Sequence, residues 1–186
     1  IAILARANNH LEPVLLGLRE RELPYQLVGN RGLYDRDEIR DILALLKVII
    51  NPKEQIGLYR ALNMDCLDIK NEVISDLLMK SKYEKVDLWN IVNKSTQKDL
   101  QNFRELIQDQ QTRITKESPT LYVFNLVKKV GYLRKLTSEE TIENQLSIRN
   151  LDLLIERIKR FEASFYNENK EIPTIVDLLD YMEQAV

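Results

Sequence analysis

The sequence predicts a mainly α protein, a helical bundle preceded by one β-α-β unit. Three observations carry this. From Asp35 onward apolar residues recur at helical spacing, with no alternating strand pattern. These periodic stretches are bounded by Asp, Ser or Thr ahead of them and by Asn-Pro or Gly behind. Only the beginning differs: Ile1-Ala2-Ile3-Leu4 is a continuous apolar run of the kind buried on both faces in a parallel sheet, and Tyr25–Val28 returns as a second strand. A helix over Leu11–Arg21 joins them, with Pro13 tolerated in its first turn. One such unit cannot cover both faces of its strands, so residues 1–32 read as a remnant of a larger sheet and residues 33–186 as an all-α region.

The helical region opens at Leu33–Asp41. Asp35 is placed to accept from first-turn amides and Glu38 to reach back, a capping box ahead of Ile39, Ile42, Leu43 and Leu46. This predicts a helix over Asp37–Ile50, stopped where Asn51 precedes Pro52. A short helix follows over Gln55–Leu62. Lys70–Lys80 carries Val73, Leu77 and Leu78 on one side, and Val86–Val92 presents Leu88, Trp89 and Val92. Thr96–Thr115 bears a stripe of Leu100, Phe103, Leu106, Ile107 and Ile114 on a polar cylinder and belongs at the bundle surface. Ser118-Pro119 is a cap with proline at the first helical position, and Gly131 ends the helix Thr120–Val130. Thr137-Ser138-Glu139-Glu140 reads as another capping box. Leu146–Phe165 is the most periodic stretch, and a last helix runs from Thr174 to about Gln184.

Composition narrows the function. With 44% hydrophobic and 30% charged residues in 186, the chain is long enough to bury a sizeable core. Lys and Arg number 27 against 29 Asp and Glu, so attraction to nucleic acid must come from a local patch. One cysteine, Cys66, makes no internal disulfide, and no His/Cys cluster has metal-ligand spacing, which together point to a reducing compartment. No apolar run approaches membrane-spanning length and no signal-peptide layout is present, so no membrane partner is expected. A chain starting at Ile1 rather than Met reads as a piece of a longer protein. No Gly-x-x-x-x-Gly-Lys-Ser/Thr phosphate loop occurs.

Two segments resemble the UvrD/Rep-type (PcrA-like) superfamily 1 DNA helicases. Val28-Gly29-Asn30, Leu33-Tyr34-Asp35-Arg36-Asp37-Glu38-Ile39-Arg40-Asp41 and Leu45 through Asn51-Pro52 are similar to the family's glycine-glycine, two-aromatic, x-Arg-x-Glu-Ile-Lys-Asp pattern and the apolar helix ending at Asn-Pro. Upstream, Ile1-Ala2-Ile3-Leu4-Ala5-Arg6-Ala7-Asn8-Asn9 resembles the Ala-Ile-Leu-x-Arg-x-Asn segment. The resemblance implies that residues 1–32 end a RecA-like 2A domain and that residues 33–186 are a 2B-like subdomain. It implies a parent that is an ATP-dependent 3′-to-5′ DNA helicase in repair or replication, cytoplasmic and nucleoid-associated in a prokaryote. ATP and Mg²⁺ would be handled outside this chain; the partners would be single-stranded and junction DNA, the other helicase domains and repair proteins. Two other readings stay open: a helical protein-interaction module of a related helicase-nuclease, and an all-α enzyme with an unrecognised site.

Candidate residues follow from both sources. By resemblance Arg6 and Asn8 contact single-stranded DNA, and a guanidinium beside an amide suits phosphate oxygens; a solvated loop is the plain alternative. Tyr34, Arg36, Glu38, Arg40 and Asp41 are either DNA contacts or a domain joint, with the acids favouring the joint and Tyr34 favouring packing. Lys128, Lys129, Arg134 and Lys135 around Gly131-Tyr132 form a basic patch, or else two solvated helix ends. The family's Gly-Ile-Gly turn for duplex DNA is replaced by Leu62–Lys70, where Asp68 adds a Cβ and a negative charge. No catalytic or metal-binding residue is assigned; His10 and Cys66 stand alone, and Trp89 reads as a core anchor. The chain by itself is therefore expected neither to bind nor to hydrolyse ATP, and turnover stimulated by single-stranded DNA in a pure preparation would contradict this.

Overall fold

A computed structural model describes Ile3 and residues 12–21, 23–25 and 32–184. Among these residues there are helices and no strand. The helix of the expected β-α-β unit is present as α1, Glu12–Glu20. Its strands find no support: Ile1–Leu4 and Tyr25–Val28 fall mostly outside the described residues, and Ile3 and Tyr25, which are described, belong to no element. The mainly α class stands on the remainder.

The organising element is α2, Asp37–Ile50. Ile39, Ile42, Leu45, Leu46, Val48 and Ile49 are each at most 1% exposed, so the apolar surface wraps most of the helix circumference. Such a helix needs cover on several sides, and α3 (Gln55–Leu62), α6 (Lys98–Arg113), α9 (Ile142–Asn169) and α10 (Ile175–Gln184) supply it. Around this centre α4 (Asn71–Glu84) packs on α5 (Leu88–Lys94), α5 on α6, and α7 (Pro119–Lys129) with α8 (Tyr132–Leu136) on α9. Leu58 and Leu62 of α3, Leu100, Phe103 and Ile107 of α6, Tyr122 and Leu126 of α7, and Leu154 and Ile158 of α9 complete one continuous core. On α4 the buried pair is Ile74 and Leu77, while Leu78 is turned outward; Trp89 is half-buried against the core.

Several ends are set by groups distant in sequence. Asp35 does not cap α2: it ends a 3-10 turn over Leu33–Asp35, Arg36 occupies the cap position without a side-chain bond, and Glu38 turns inward instead of back. Ser118 holds the expected cap position ahead of Pro119 but its side chain makes no cap bond; the amide of Thr120 donates instead to Glu162 of α9 at 2.6 Å. Thr137 closes α8, and the true cap of α9 is Thr141, whose hydroxyl accepts from the Asn144 amide at 3.1 Å, so α9 starts four residues before the predicted Leu146. At carboxyl ends, Gln111 donates to the Ile49 carbonyl at 2.9 Å and Arg104 to that of Asn93 at 2.6 Å. Between α2 and α3 the contact is close enough that a Cβ on Gly57 would lie 3.2 Å from the Ala44 carbonyl oxygen and collide with the Glu54 carboxylate that caps α3.

Helices α4 and α9 end on lysines in the left-handed region, Lys85 at φ 55° and Lys170 at φ 60°. A Cβ is strained there and glycine is not. Lys85→Gly and Lys170→Gly are each expected to raise unfolding stability by about 0.5 kcal/mol, after the extra freedom glycine gives the unfolded chain. Urea unfolding of both variants beside Lys85→Ala, which keeps the strain, checks this; equal behaviour of Gly and Ala would contradict it.

Candidate functional site

Burying α2 on most sides leaves its first turns with acidic side chains that must find partners inside the bundle. Glu38 is only 8% exposed and accepts from Asn150 Nδ2 of α9 at 2.6 Å. Asp41, half-buried one turn later, is held by both oxygens. Oδ1 accepts from Arg60 Nε of α3 at 2.7 Å, and Oδ2 accepts from the Tyr132 hydroxyl of α8 at 3.0 Å. Arg60 also donates through one terminal nitrogen to the carboxylate and the carbonyl of Asp37, both at 3.1 Å. These contacts tie α2 to α3, α8 and α9 at one point, directly after the 3-10 turn by which the chain enters the bundle. Tyr34 of that turn is 5% exposed, its ring lies 5.3 Å below the Arg157 guanidinium of α9, and its hydroxyl has no partner among the described residues.

The electrostatics follow from burial. Removal from water pushes the Asp41 carboxyl above the ordinary aspartate range, against the opposing pull of the Arg60 charge and the Tyr132 hydrogen bond. The Tyr132 hydroxyl is raised by burial and then by the adjacent Asp41 charge. Burial also carries the half-buried Cys66 thiol up to about 12, so it is a packing group rather than a nucleophile.

Of the residues singled out from sequence, Arg6, Asn8 and His10 lie outside the described residues. Tyr34, Glu38 and Asp41 come together with partners that sequence reasoning missed: Arg60, Tyr132, Asn150 and Arg157. Their only signal is weak, a polar residue such as Asn150 one turn before buried Leu154 on the inner side of a strongly periodic helix. Arg36 is half-buried and Arg40 exposed, and neither side chain engages another among the described residues. Lys128, Lys129, Arg134 and Lys135 are all exposed at the carboxyl ends of α7 and α8, and Lys135 pairs with Asp65 at 2.9 Å. In the segment Leu62–Lys70, Asp65–Leu67 forms a 3-10 turn and Asp68 takes a left-handed conformation at φ 52°, ψ 29°.

Among the described residues no three His, Cys, Asp or Glu side chains are placed to share a metal ion, and Asp41 already spends both oxygens on Arg60 and Tyr132. What the cluster does is fix the root of a helical body.

That body belongs to a helicase family: residues 1–184 match the UvrD-like helicase C-terminal domain, and the chain is a member of it. The ATP-dependent DNA helicase PcrA of Staphylococcus aureus is 29% identical over 177 residues, covering 88% of this chain and 24% of its own length. The PcrA of Staphylococcus epidermidis matches to the same extent, 29% over 177 residues. The chain spans about a quarter of the length of these relatives. No helix among the described residues is long and apolar enough to cross a membrane.

Replacing Asp41 by Ala would leave Arg60 Nε and the Tyr132 hydroxyl without an acceptor, an expected loss of about 2 kcal/mol. Half-buried Lys47, paired with the exposed Glu183, is expected to cost under about 0.5 kcal/mol as Lys47→Ala. Because the folded Asp41 holds its proton to higher pH than the unfolded chain, its contribution is complete below the ordinary aspartate range and falls as pH rises through the raised folded value. Urea unfolding between about pH 4 and pH 7 should therefore show the gap between wild type and Asp41→Ala narrowing with rising pH; a widening gap would contradict the direction of the shift.

Proposed function

We propose that residues 33–186 are the accessory 2B region of an ATP-dependent 3′-to-5′ DNA helicase of UvrD/Rep type, acting in repair or replication, and that residues 1–32 close its RecA-like 2A domain. The observation that carries this reading is the family match over residues 1–184, joined to a helical body locked at the very stretch that resembles the family's x-Arg-x-Glu-Ile-Lys-Asp pattern. In this reading ATP and Mg²⁺ are bound by other parts of the parent enzyme, which works in the cytoplasm on the nucleoid. The β-α-β remnant presents Arg6 and Asn8 to single-stranded DNA. Glu38, Asp41 and Tyr34 brace the body internally, while Arg36 and Arg40, free of side-chain partners among the described residues, face the joint with the motor or the DNA it carries. The body guides DNA and modulates unwinding rather than driving it.

A second reading, a helical protein-interaction module in a related helicase-nuclease, is favoured by Asp65 and Asp68 standing where the family's glycine turn would approach phosphates. One experiment bears on both. In the parent enzyme, residues 34–186 are replaced by a short flexible linker. Glu183 near the end of α10 pairs with Lys47 in the last turn of α2 at 2.7 Å, which sets the end of the body against the central helix about 15 Å along it from its first turn, a gap a flexible linker can span. DNA-stimulated ATP hydrolysis is expected to remain largely intact while unwinding or its control changes. If the folded deletion variant loses ATPase and restoring only Leu33–Asn51 returns it, that stretch is part of the motor and the boundary at residue 33 is wrong. Unchanged unwinding, with loss of a bound protein, would favour the interaction module.

A further inference from the structure

We propose that the cleft at the carboxyl end of α2 is a docking site for a short protein segment carrying aliphatic side chains beside a carboxylate, an inference that goes beyond the helicase reading and does not depend on it. The walls of the cleft are the first observation. It encloses about 690 Å³ where the end of α2, the end of α6 and the start of α10 meet. Ile49, Ile114, Pro173 and Ile175 form its floor, with Ile49 and Ile175 almost fully withdrawn from water. Its lips are Ile50, Ile172 and Val176, which are 38%, 68% and 50% exposed. A concave space of this size, apolar within and open to solvent, is of the order that receives a ligand or the anchoring side chains of a partner. Three aliphatic side chains left in water around it gain by being covered. Among the described residues no Phe, Tyr, Trp or His lines the cleft, so a nucleobase finds no ring to stack on, whereas saturated side chains match the walls.

The polar groups of the lining are the second observation. Most are spent on holding the walls. Gln111 donates to the Ile49 carbonyl at 2.9 Å, which ties α6 to the end of α2. Glu117 is held by Arg113 at 2.5 Å and by Asn125 at 2.7 Å, which fixes the connection between α6 and α7. At the start of α10 the Thr174 hydroxyl donates to Asp177 at 2.6 Å and accepts from the Asp177 amide at 3.2 Å. The cleft is therefore formed before anything enters it, and an occupant meets little ordering cost in the walls. Three side chains of the lining stay unspent: the Lys116 ammonium and the hydroxyls of Thr115 and Ser118 have no partner among the described residues. All three can donate. With Glu117 neutralised by Arg113, Lys116 is the one unpaired charge of the lining, and Glu171, next to Ile172, does not line the cleft. The complement is an aliphatic body with one carboxylate. A segment of a protein fits better than a small free acid, because the chain on either side of its anchor covers the lips Ile172 and Val176. The cleft is also distinct from the Asp41 cluster: Ile50 lies nine residues beyond Asp41, about 13 Å along α2.

The test is selection of random peptides displayed on phage against the full chain, followed by anisotropy measurements on the recovered sequences as fluorescein-labelled peptides. Peptides with Asp or Glu beside Leu, Ile or Val are expected to be enriched. Wild type is compared with I172S/V176S, with K116E, and with the control I142S at an exposed isoleucine at the opposite end of α9. All these side chains are exposed, so the fold should be kept. Circular dichroism melting checks this, and V176S alone serves if the double variant melts early. I172S/V176S is expected to bind the peptides at least about tenfold more weakly. K116E should bind about threefold more weakly and regain the loss when the acid of the peptide is replaced by lysine. I142S should stay within about twofold of wild type. No enrichment of such peptides, or equal affinity for wild type and I172S/V176S, overturns the proposal. Aliphatic peptides without an acid, indifferent to K116E, overturn the assignment of the carboxylate. Displacement of the peptide by a DNA duplex gives the cleft to nucleic acid and overturns the proposal. Self-association of wild type that I172S/V176S abolishes in analytical ultracentrifugation gives the cleft to a second copy and overturns it too. The linker deletion judges the helicase reading separately.

Discussion

The structure depends on one constraint: α2 is buried around most of its circumference yet begins with Asp37, Glu38 and Asp41. A carboxylate taken from water must be paired and hydrogen-bonded or it destabilises the fold, and Glu38 and Asp41, the two withdrawn from water, draw their partners from other helices while Asp37 stays exposed. Arg60 reaches from α3, Tyr132 from α8 and Asn150 from α9. The raised pKa of Asp41 shows that desolvation outweighs these attractions, so the cluster contributes position more than strength. It fixes the angles at which three helices meet the one that carries the chain into the bundle.

This arrangement explains what the sequence could and could not reveal. Helix existence was legible because apolar residues keep a 3.6-residue period wherever a helix faces the core: Asp37–Ile50 and Gln55–Leu62 were read to the residue. The five-residue α8 was not, being too short to show a period. Starts were misread at Asp35 and Thr137, and at Ser118 the boundary was read correctly but the capping group was not, for a common reason. Each carries a local capping signature, but the backbone groups there are satisfied by a tight turn or by side chains from elsewhere, as with Glu162. Local rules see only neighbours in sequence.

The candidate site was legible in part. The stretch from Tyr34 to Asp41 stood out through family resemblance and an unusual density of charge, and it is indeed where distant helices converge. Its partners were illegible: nothing in Gln55–Leu62 distinguishes Arg60 from any solvated arginine, and Asn150 is separated from Glu38 by 112 residues. The segment Leu62–Lys70 illustrates the reverse case. Its missing glycines were visible, but only the fold reveals that Asp68 nevertheless adopts the left-handed backbone that glycine would favour.

The bond from Glu162 to the Thr120 amide also bears on how the protein comes to be folded. A short helix is marginal by itself even when its own side chains complete its first turn, and α7 lacks that local help, because the group that completes its first turn belongs to α9, 42 residues further along. The same holds for α2 and α5, each closed at its carboxyl end by a side chain of α6. Such cross-helix closures make secondary structure a product of assembly, so the bundle should form and open as one cooperative unit, and a nascent chain gains a finished α7 only once α9 has been synthesised and has docked.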